Sequence, residues 1–433
     1  MARNLFVMML LVMMMVVTAC GGSNSSNNTS EQPSNNKETE TTDEKVTLTY
    51  ATWGGADDKA TPKVIELFNS THPNIEVKLE STPNKQYWSK LETAAIGETL
   101  ADVFWMNGPN IVKYGSNNIL LPISEQIKAD GLDMTKYPQS LVDLYTVNGE
   151  NYGIPKDFDT PGLWYNKEMF DAAGVKYPDD TWDWNSLLEA SKKLTDPAKG
   201  VWGIAATLDS QSGYYDTILQ AGGYIISDDK KSSGFDKPEA INGIKFWTDL
   251  INVHKVSPTM AQMTETQGTD LFKSGKVAML AEGSWNASDF ASNENIKGKF
   301  DVAVLPKGKQ RGVIIHGLGN VISAQTKHPK EAWEFVKFLG SKEVAVIYAS
   351  TGTVIPAYEG TQETWVQSNP DVNLQIFIDQ LKDSKPYPVS QNTSAWASLE
   401  SEIFTKAWAG VITPEEAGKE MAAKMNEALE KEK

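Results

Sequence analysis

From Val46 to Trp105 the apolar spacing of the chain switches repeatedly between a period of two and a helical period. Val46, Leu48 and Tyr50 alternate with Thr47 and Thr49, which is the signature of a strand with one buried face. Trp53-Gly54-Gly55 breaks the alternation. Val64, Ile65, Leu67 and Phe68 then share one face of a helix expected over about 59–70, and His72-Pro73-Asn74 ends it. Ile75, Val77 and Leu79 alternate again, a second helix is expected over 85–96, and Ala101-Asp102-Val103-Phe104-Trp105 reads as a buried strand. Strand–helix–strand–helix–strand order implies an α/β fold with a parallel sheet flanked by helices. Ligands of such sheets bind at the loops after the strand carboxyl ends, where Trp53 and Trp105 fall.

The body, from about Lys45 to Lys433, is long for one core and implies two lobes. The second part carries its own pattern. Strands are expected at 163–167, 202–205, 277–280, 300–305 and 317–322. Helices are expected at 182–194, 215–221, 238–253, 330–339 and from Pro414 to the end. No internal repeat is visible.

The N-terminus reads as an export device. Arg3 precedes an apolar run from Leu5 to Val17, too short for a spanning helix and suited to the h-region of a secretory signal. Val17-Thr18-Ala19-Cys20 resembles the lipobox of bacterial lipoproteins, with residues 1–19 removed and Cys20 acylated. Two lipid attachments would give stable anchoring. Residues 21–44 hold no large apolar side chain and read as a flexible tether. The expected location is the outer face of the cytoplasmic membrane, at the cell surface or in the periplasm.

Composition removes several function classes. The formal charge is −16 and no basic tract follows the leader, so nucleic acid is a poor partner. Cys20 is the only cysteine, so no disulfide within the chain is possible. The four histidines, His72, His254, His316 and His328, are scattered, which supports neither a metal centre nor a catalytic triad. No Gly-x-Ser-x-Gly elbow occurs. Asp179, Asp180 and Asp183 lack calcium-loop spacing. No cofactor is expected.

Several segments together resemble the extracellular sugar-binding proteins of ABC transporters, the solute-binding family that includes maltodextrin-binding proteins. They are Trp53-Gly54-Gly55, Ala101–Trp105, Tyr152-Gly153-Ile154-Pro155, Leu163-Trp164-Tyr165-Asn166-Lys167 and Ala278–Trp285, in that order. The resemblance implies a two-lobed periplasmic-binding-protein-like fold, each lobe a mostly parallel sheet with helices on it, and a ligand cleft between the lobes. It places lobe one at 46–155 with 303–340 and lobe two at 160–300 with 345–433. The chain would cross near 155–161, 300–306 and 340–350. The implied partners are a carbohydrate, which closes the hinge by contacting both lobes, and a membrane permease that receives it. A monomer without enzymatic activity is expected.

A sugar presents apolar C–H faces and many hydroxyls, so its site combines aromatic plates with carboxylates and amides. The chain has 13 Trp and 14 Tyr, many of them expected in the core. The candidate ligand residues are Trp53, Trp105, Asn107, Asp157, Asp159, Tyr215, Trp285, Gly317 and Trp396. Trp53, Trp105 and Asn107 follow strands of the first lobe, and Asp157 and Asp159 sit on the crossover. Trp285 follows Glu282-Gly283-Ser284 and matches a family position that stacks on ligand. Two alternatives remain at this level. Asp157 and Asp159 are also a carboxylate pair of the kind a glycoside hydrolase uses. A cleft rich in carboxylates would suit a polyamine.

Overall fold

The first strand, Val46–Thr52 (β1), pairs in parallel with Ile75–Ser81 (β2), with Val46 opposite Ile75 and Thr52 opposite Ser81. Val103–Met106 (β3), buried throughout, lies parallel on the other side of β1. The helices Thr61–Thr71 and Asn84–Ile96 connect them. Pro in the first turn of Thr61–Thr71 fits a position with no N–H to satisfy, and Val64, Ile65 and Phe68 turn inward. Phe68 packs edge-on against Phe335 at 4.8 Å, and Phe335 meets Tyr50 at 5.1 Å. Burying one such ring contributes about 1.5–3 kcal/mol. Gly153–Pro155 (β4) forms the last edge of this sheet. The computed structural model of the protein describes residues 45–53 and 58–432. The leader, Cys20, the tether, Gly54 and Gly55 lie outside the described residues.

A second sheet is built from Pro161–Asn166 (β5), Trp202–Ala205 (β6), Val277–Gly283 (β7) and Phe300–Ala303 (β8), in the order β8-β5-β7-β6. Trp164 on β5 is fully buried among Phe290, Phe300 and Phe377, with ring centroids 5.1, 5.8 and 5.5 Å away. Gly319–Ile322 (β9) returns to the first sheet and wedges between β3 and β4, giving the order β2-β1-β3-β9-β4.

Both sheets are mixed, where mostly parallel ones were expected. β9 runs antiparallel to β3 and to β4, and β5 runs antiparallel to β7 and β8. The strands that enter from the other half arrive head-on, and helical crossovers within a half give only the parallel pairs.

The chain leaves the first sheet after Pro155 and enters the second at Pro161. Asp157–Phe158, between them, pairs with Ile355–Pro356. The return falls later than expected. Val313–Ile315 still pairs with Ser384–Pro386, and the Ile314 N–H donates to Asp216 Oδ1 at 2.7 Å, so the crossing lies at about 316–319. The third crossing is also later. Tyr348 bonds Thr61 Oγ1 at 2.8 Å, which holds the helix Lys342–Ser350 on the first-sheet side. The Asp159–His316 bridge joins the first two crossings, and the Ile355–Pro356 pairing brings the third beside them.

Candidate functional site

The carboxyl ends of β1 and β3 carry the aromatic part of the site. Trp53, half-buried, sits edge-on to Tyr87 at 4.8 Å and to Trp105 at 5.2 Å, with Trp88 at 5.5 Å. Trp105 is only 4% exposed, and its indole N–H donates to the Tyr50 hydroxyl at 2.6 Å. The Tyr50 hydroxyl in turn donates to Asn320 Oδ1 at 2.7 Å. Asn107 is half-buried at the start of the helix Gly108–Ser116 and accepts from Asn110 Nδ2 at 2.9 Å. Beside it, the Gly108 N–H donates to His316 Nε2 at 3.2 Å. Burial lowers the His316 pKa to about 4, so the ring stays neutral and free to accept.

The crossover supplies the floor. Lys156 and Asp157 form a buried ion pair at 2.6 Å. Asp157 Oδ1 also accepts the Leu318 N–H at 2.8 Å. Gly317 fits against this strand because it has no side chain: a Cβ there would fall 2.2 Å from the Asp157 carbonyl oxygen. Asp159 is half-buried and faces the second half, where Gln211 Nε2 donates to its Oδ1. Desolvation, then the charge of Asp157, raises the Asp159 pKa to about 7.

The second sheet contributes its carboxyl-end loops. Asp209, after β6, accepts the Ser212 N–H at 2.7 Å and the Ser212 hydroxyl at 2.9 Å. Glu282 is the next-to-last residue of β7, fixed there by the Trp164 indole, which donates to its backbone carbonyl at 3.1 Å. Glu282 Oε1 accepts the Gly283 N–H at 3.0 Å and lies 3.4 Å from Ser212 Oγ. Desolvation, then Asp209, raises the Glu282 pKa to about 8. Trp285 is 38% exposed. Its ring folds back onto Gly283, where a Cβ would lie 2.1 Å from Cζ3. Glycine at 283 is thus the condition for that ring position.

The expected residues therefore divide into two sets. Trp53, Asn107, Asp159 and Trp285 keep exposed or half-exposed side chains at the strand ends and the crossover. Trp105, Asp157, Tyr215, Gly317 and Trp396 are covered. Tyr215 is fully buried and donates to Glu400 Oε1 at 2.6 Å, and Trp396 is fully buried with its indole N–H on Ser390 Oγ at 2.9 Å. Both rings pack the second half instead of facing solvent, because their polar atoms find partners inside. Asp209, Gln211, Ser212 and Glu282 were missed. Glu282 lies inside the Ala278–Trp285 run, and Gln211 and Ser212 lie in the loop that drew attention to Tyr215. Polar residues before a tyrosine pair carry weaker signals than the tyrosines.

Among the described residues no cluster of His, Cys, Asp and Glu could hold a metal ion. No helix among them is long and apolar enough to cross a membrane. An aromatic plate beside carboxyl and amide groups can stack on an apolar face and exchange hydrogen bonds with hydroxyls.

Known proteins give the same frame. The family model for bacterial extracellular solute-binding proteins matches residues 38–346. An arabinooligosaccharide-binding protein of Halalkalibacterium halodurans is 26% identical over 397 residues, spanning 86% of each chain. An ABC substrate-binding protein from Listeria monocytogenes, solved in complex with cycloalternan, superposes with a TM-score of 0.84 at 26% identity, covering 89% of this chain and 99% of that one. Maltose-bound MalE3 of T. maritima superposes with a TM-score of 0.77 at 22% identity, over 88% of this chain and 100% of that one, and speaks to the two-lobed fold alone. The chain belongs to the bacterial extracellular solute-binding protein family.

Proposed function

We propose that this protein captures a carbohydrate between its two lobes and hands it to the permease of an ABC transporter, without chemistry of its own. The observation that carries the reading is the Trp285 ring, open at the end of β7 next to the Glu282–Ser212 pair. It offers an apolar plate beside hydroxyl-matching groups. The oligosaccharide ligands named for the relatives support the same class. Trp53, Asn107, Asp159 and Gln211 complete the contacts we infer. The lobes we infer are 46–155 with 319–350 and 161–315 with 357–432. Cys20 is the proposed lipid anchor of an exported monomer, with residues 21–44 as its tether.

The alternatives fit less well. Asp157 is locked to Lys156 and to the Leu318 N–H, so a hydrolase pair with Asp159 lacks a free partner. A polyamine needs charged carboxylates, and Asp159 and Glu282 are both raised toward their neutral forms.

A thermal-shift panel of the mature protein tests the reading with maltose, maltotriose, arabinotriose, lactose and cycloalternan. A saccharide at hundredfold excess over its Kd stabilises by about 2.7 kcal/mol. Trp285→Ala is expected to abolish that shift while leaving the unliganded melting temperature near wild type. A flat response across the panel, or a shift untouched by Trp285→Ala, contradicts the assignment.

A further inference from the structure

Away from the cleft, a small cavity in the second half gathers two polar groups that have no partner. Four buried side-chain atoms among the described residues lack a hydrogen bond, and two of the four, Asp216 Oδ2 and Trp247 Nε1, belong to residues that line this one cavity. Asp216 is 1% exposed on the helix Tyr215–Gln220, and Trp247 is 4% exposed on the helix Pro238–Asn252. Leu163 of β5, Ala281 of β7, Leu305 and Pro306 supply apolar walls. The other polar side chains of the lining are already paired. Gln220 Oε1 takes the Trp184 indole N–H at 2.7 Å, and its Nε2 donates to the Gly312 carbonyl at 3.1 Å. The Thr217 hydroxyl donates to the Gly243 carbonyl at 2.9 Å.

An indole N–H can only donate, and a carboxylate oxygen accepts. The two would bond directly if they met, and they do not. Each forfeits the hydration it had in the unfolded chain unless something between them both accepts and donates. The cavity offers about 20 Å³, and a single water needs about 10–15 Å³. That leaves no room for an organic guest. A cation would leave the indole N–H unanswered, and an anion would meet the Asp216 carboxyl. We propose that this cavity binds one water molecule, which accepts from Trp247 Nε1 and donates to Asp216 Oδ2, and that the water steadies the strand leading into the second crossing. Asp216 is the link. Its other oxygen, Oδ1, accepts the N–H of Ile314 on Val313–Ile315 at 2.7 Å. A carboxylate held at both oxygens cannot swing away from that N–H. The inference stands whatever solute the cleft takes.

Two arms test the two claims. A high-resolution crystal structure of the wild-type mature protein reads the site without any substitution. The expected result is a single solvent peak within about 3.2 Å of both Asp216 Oδ2 and Trp247 Nε1. An empty cavity, a direct bond between the two atoms, or a peak that touches only one of them overturns the proposal. Hydrogen exchange followed by mass spectrometry forms the second arm, comparing wild type with Trp247→Phe, which removes the donor. Losing the water is worth about one ordinary hydrogen bond, so exchange in the peptide that holds Val313–Ile315 is expected to speed up about tenfold. Asp216→Leu, which removes the Ile314 acceptor as well, is expected to speed it at least as much. Unchanged exchange in Trp247→Phe overturns the steadying role. So does an equal rise in β7, which lines the cavity through Ala281, because that result assigns the effect to lost packing.

Discussion

Glu400 shows how one side chain can decide what its neighbours are for. Its two carboxyl oxygens take the hydroxyls of consecutive residues, Tyr214 and Tyr215, and all three are buried. Burial raises the Glu400 pKa to about 7. The folded protein therefore binds a proton that the unfolded chain has released, and stability falls as pH rises from the ordinary glutamate range to about 7. Above that window the contribution is level. Glu400→Leu strands two buried phenols and should cost about 2–5 kcal/mol in urea denaturation. Glu400→Gln should flatten part of the slope between about pH 5 and about pH 7. A Glu400→Leu loss below about 1 kcal/mol would show that the phenols rearrange to other partners. This arrangement also explains why Tyr215 misled. Its sequence neighbourhood, a loop rich in Ser and Gly before a helix, looks like a rim, but its acceptor lies 185 residues away. The open position of the Trp285 ring, by contrast, depends on a residue two places away, Gly283.

Helices and strands differ in how far their sequence reveals them. The helix Trp184–Leu194 buries Leu187, Ala190, Ser191 and Leu194, a spacing visible without any partner. Its start is local too. Asp183 accepts the N–H and the hydroxyl of Ser186, each at 2.8 Å. A carboxylate in that acidic loop is thereby a helix cap. Those two bonds hold the Asp183 pKa below the usual carboxylate range. Its stabilising effect is present above the unfolded pKa and fades as pH falls through the lower folded value. Asp183→Ala should cost about 1 kcal/mol at neutral pH and less in acid, measured by thermal melts at both. An equal cost at both would mean that the charge plays no part. Strand pairing is another matter. β9 reads as a strand from its own residues, yet its place between β3 and β4 is fixed by register with Trp105 and Ile154, far away in sequence. Asp157–Phe158, two residues long, has no period to read and is a strand only through Ile355–Pro356.

At the scale of the molecule, the two sheets are joined where Lys156 sits. Its ammonium lies 4.5 Å from the Trp105 ring and 4.3 Å from the Tyr348 ring, and 2.6 Å from the Asp157 carboxylate. Trp105 belongs to the first sheet, Tyr348 to the helix before the third crossing, and Asp157 to the first crossing, where it also holds the Leu318 N–H of the second. A cation between two ring faces gains from both, and each contact is worth about 0.5–2 kcal/mol. The pair as a whole is a poor source of net stability, because each charge gave up its water. Removing one member is the costly change. Lys156→Met leaves the Asp157 carboxylate buried without a cation and should cost about 3–5 kcal/mol. The double variant Lys156→Met/Asp157→Asn removes both charges, keeps an acceptor for the Leu318 N–H, and should recover more than half of that loss. Denaturant melts of the two singles and the double close the cycle. If the double variant is less stable than Lys156→Met alone, charge is not what couples these two residues. If it recovers, the loss in Lys156→Met is the penalty of a buried carboxylate left without its cation, and the crossings hold together without the pair.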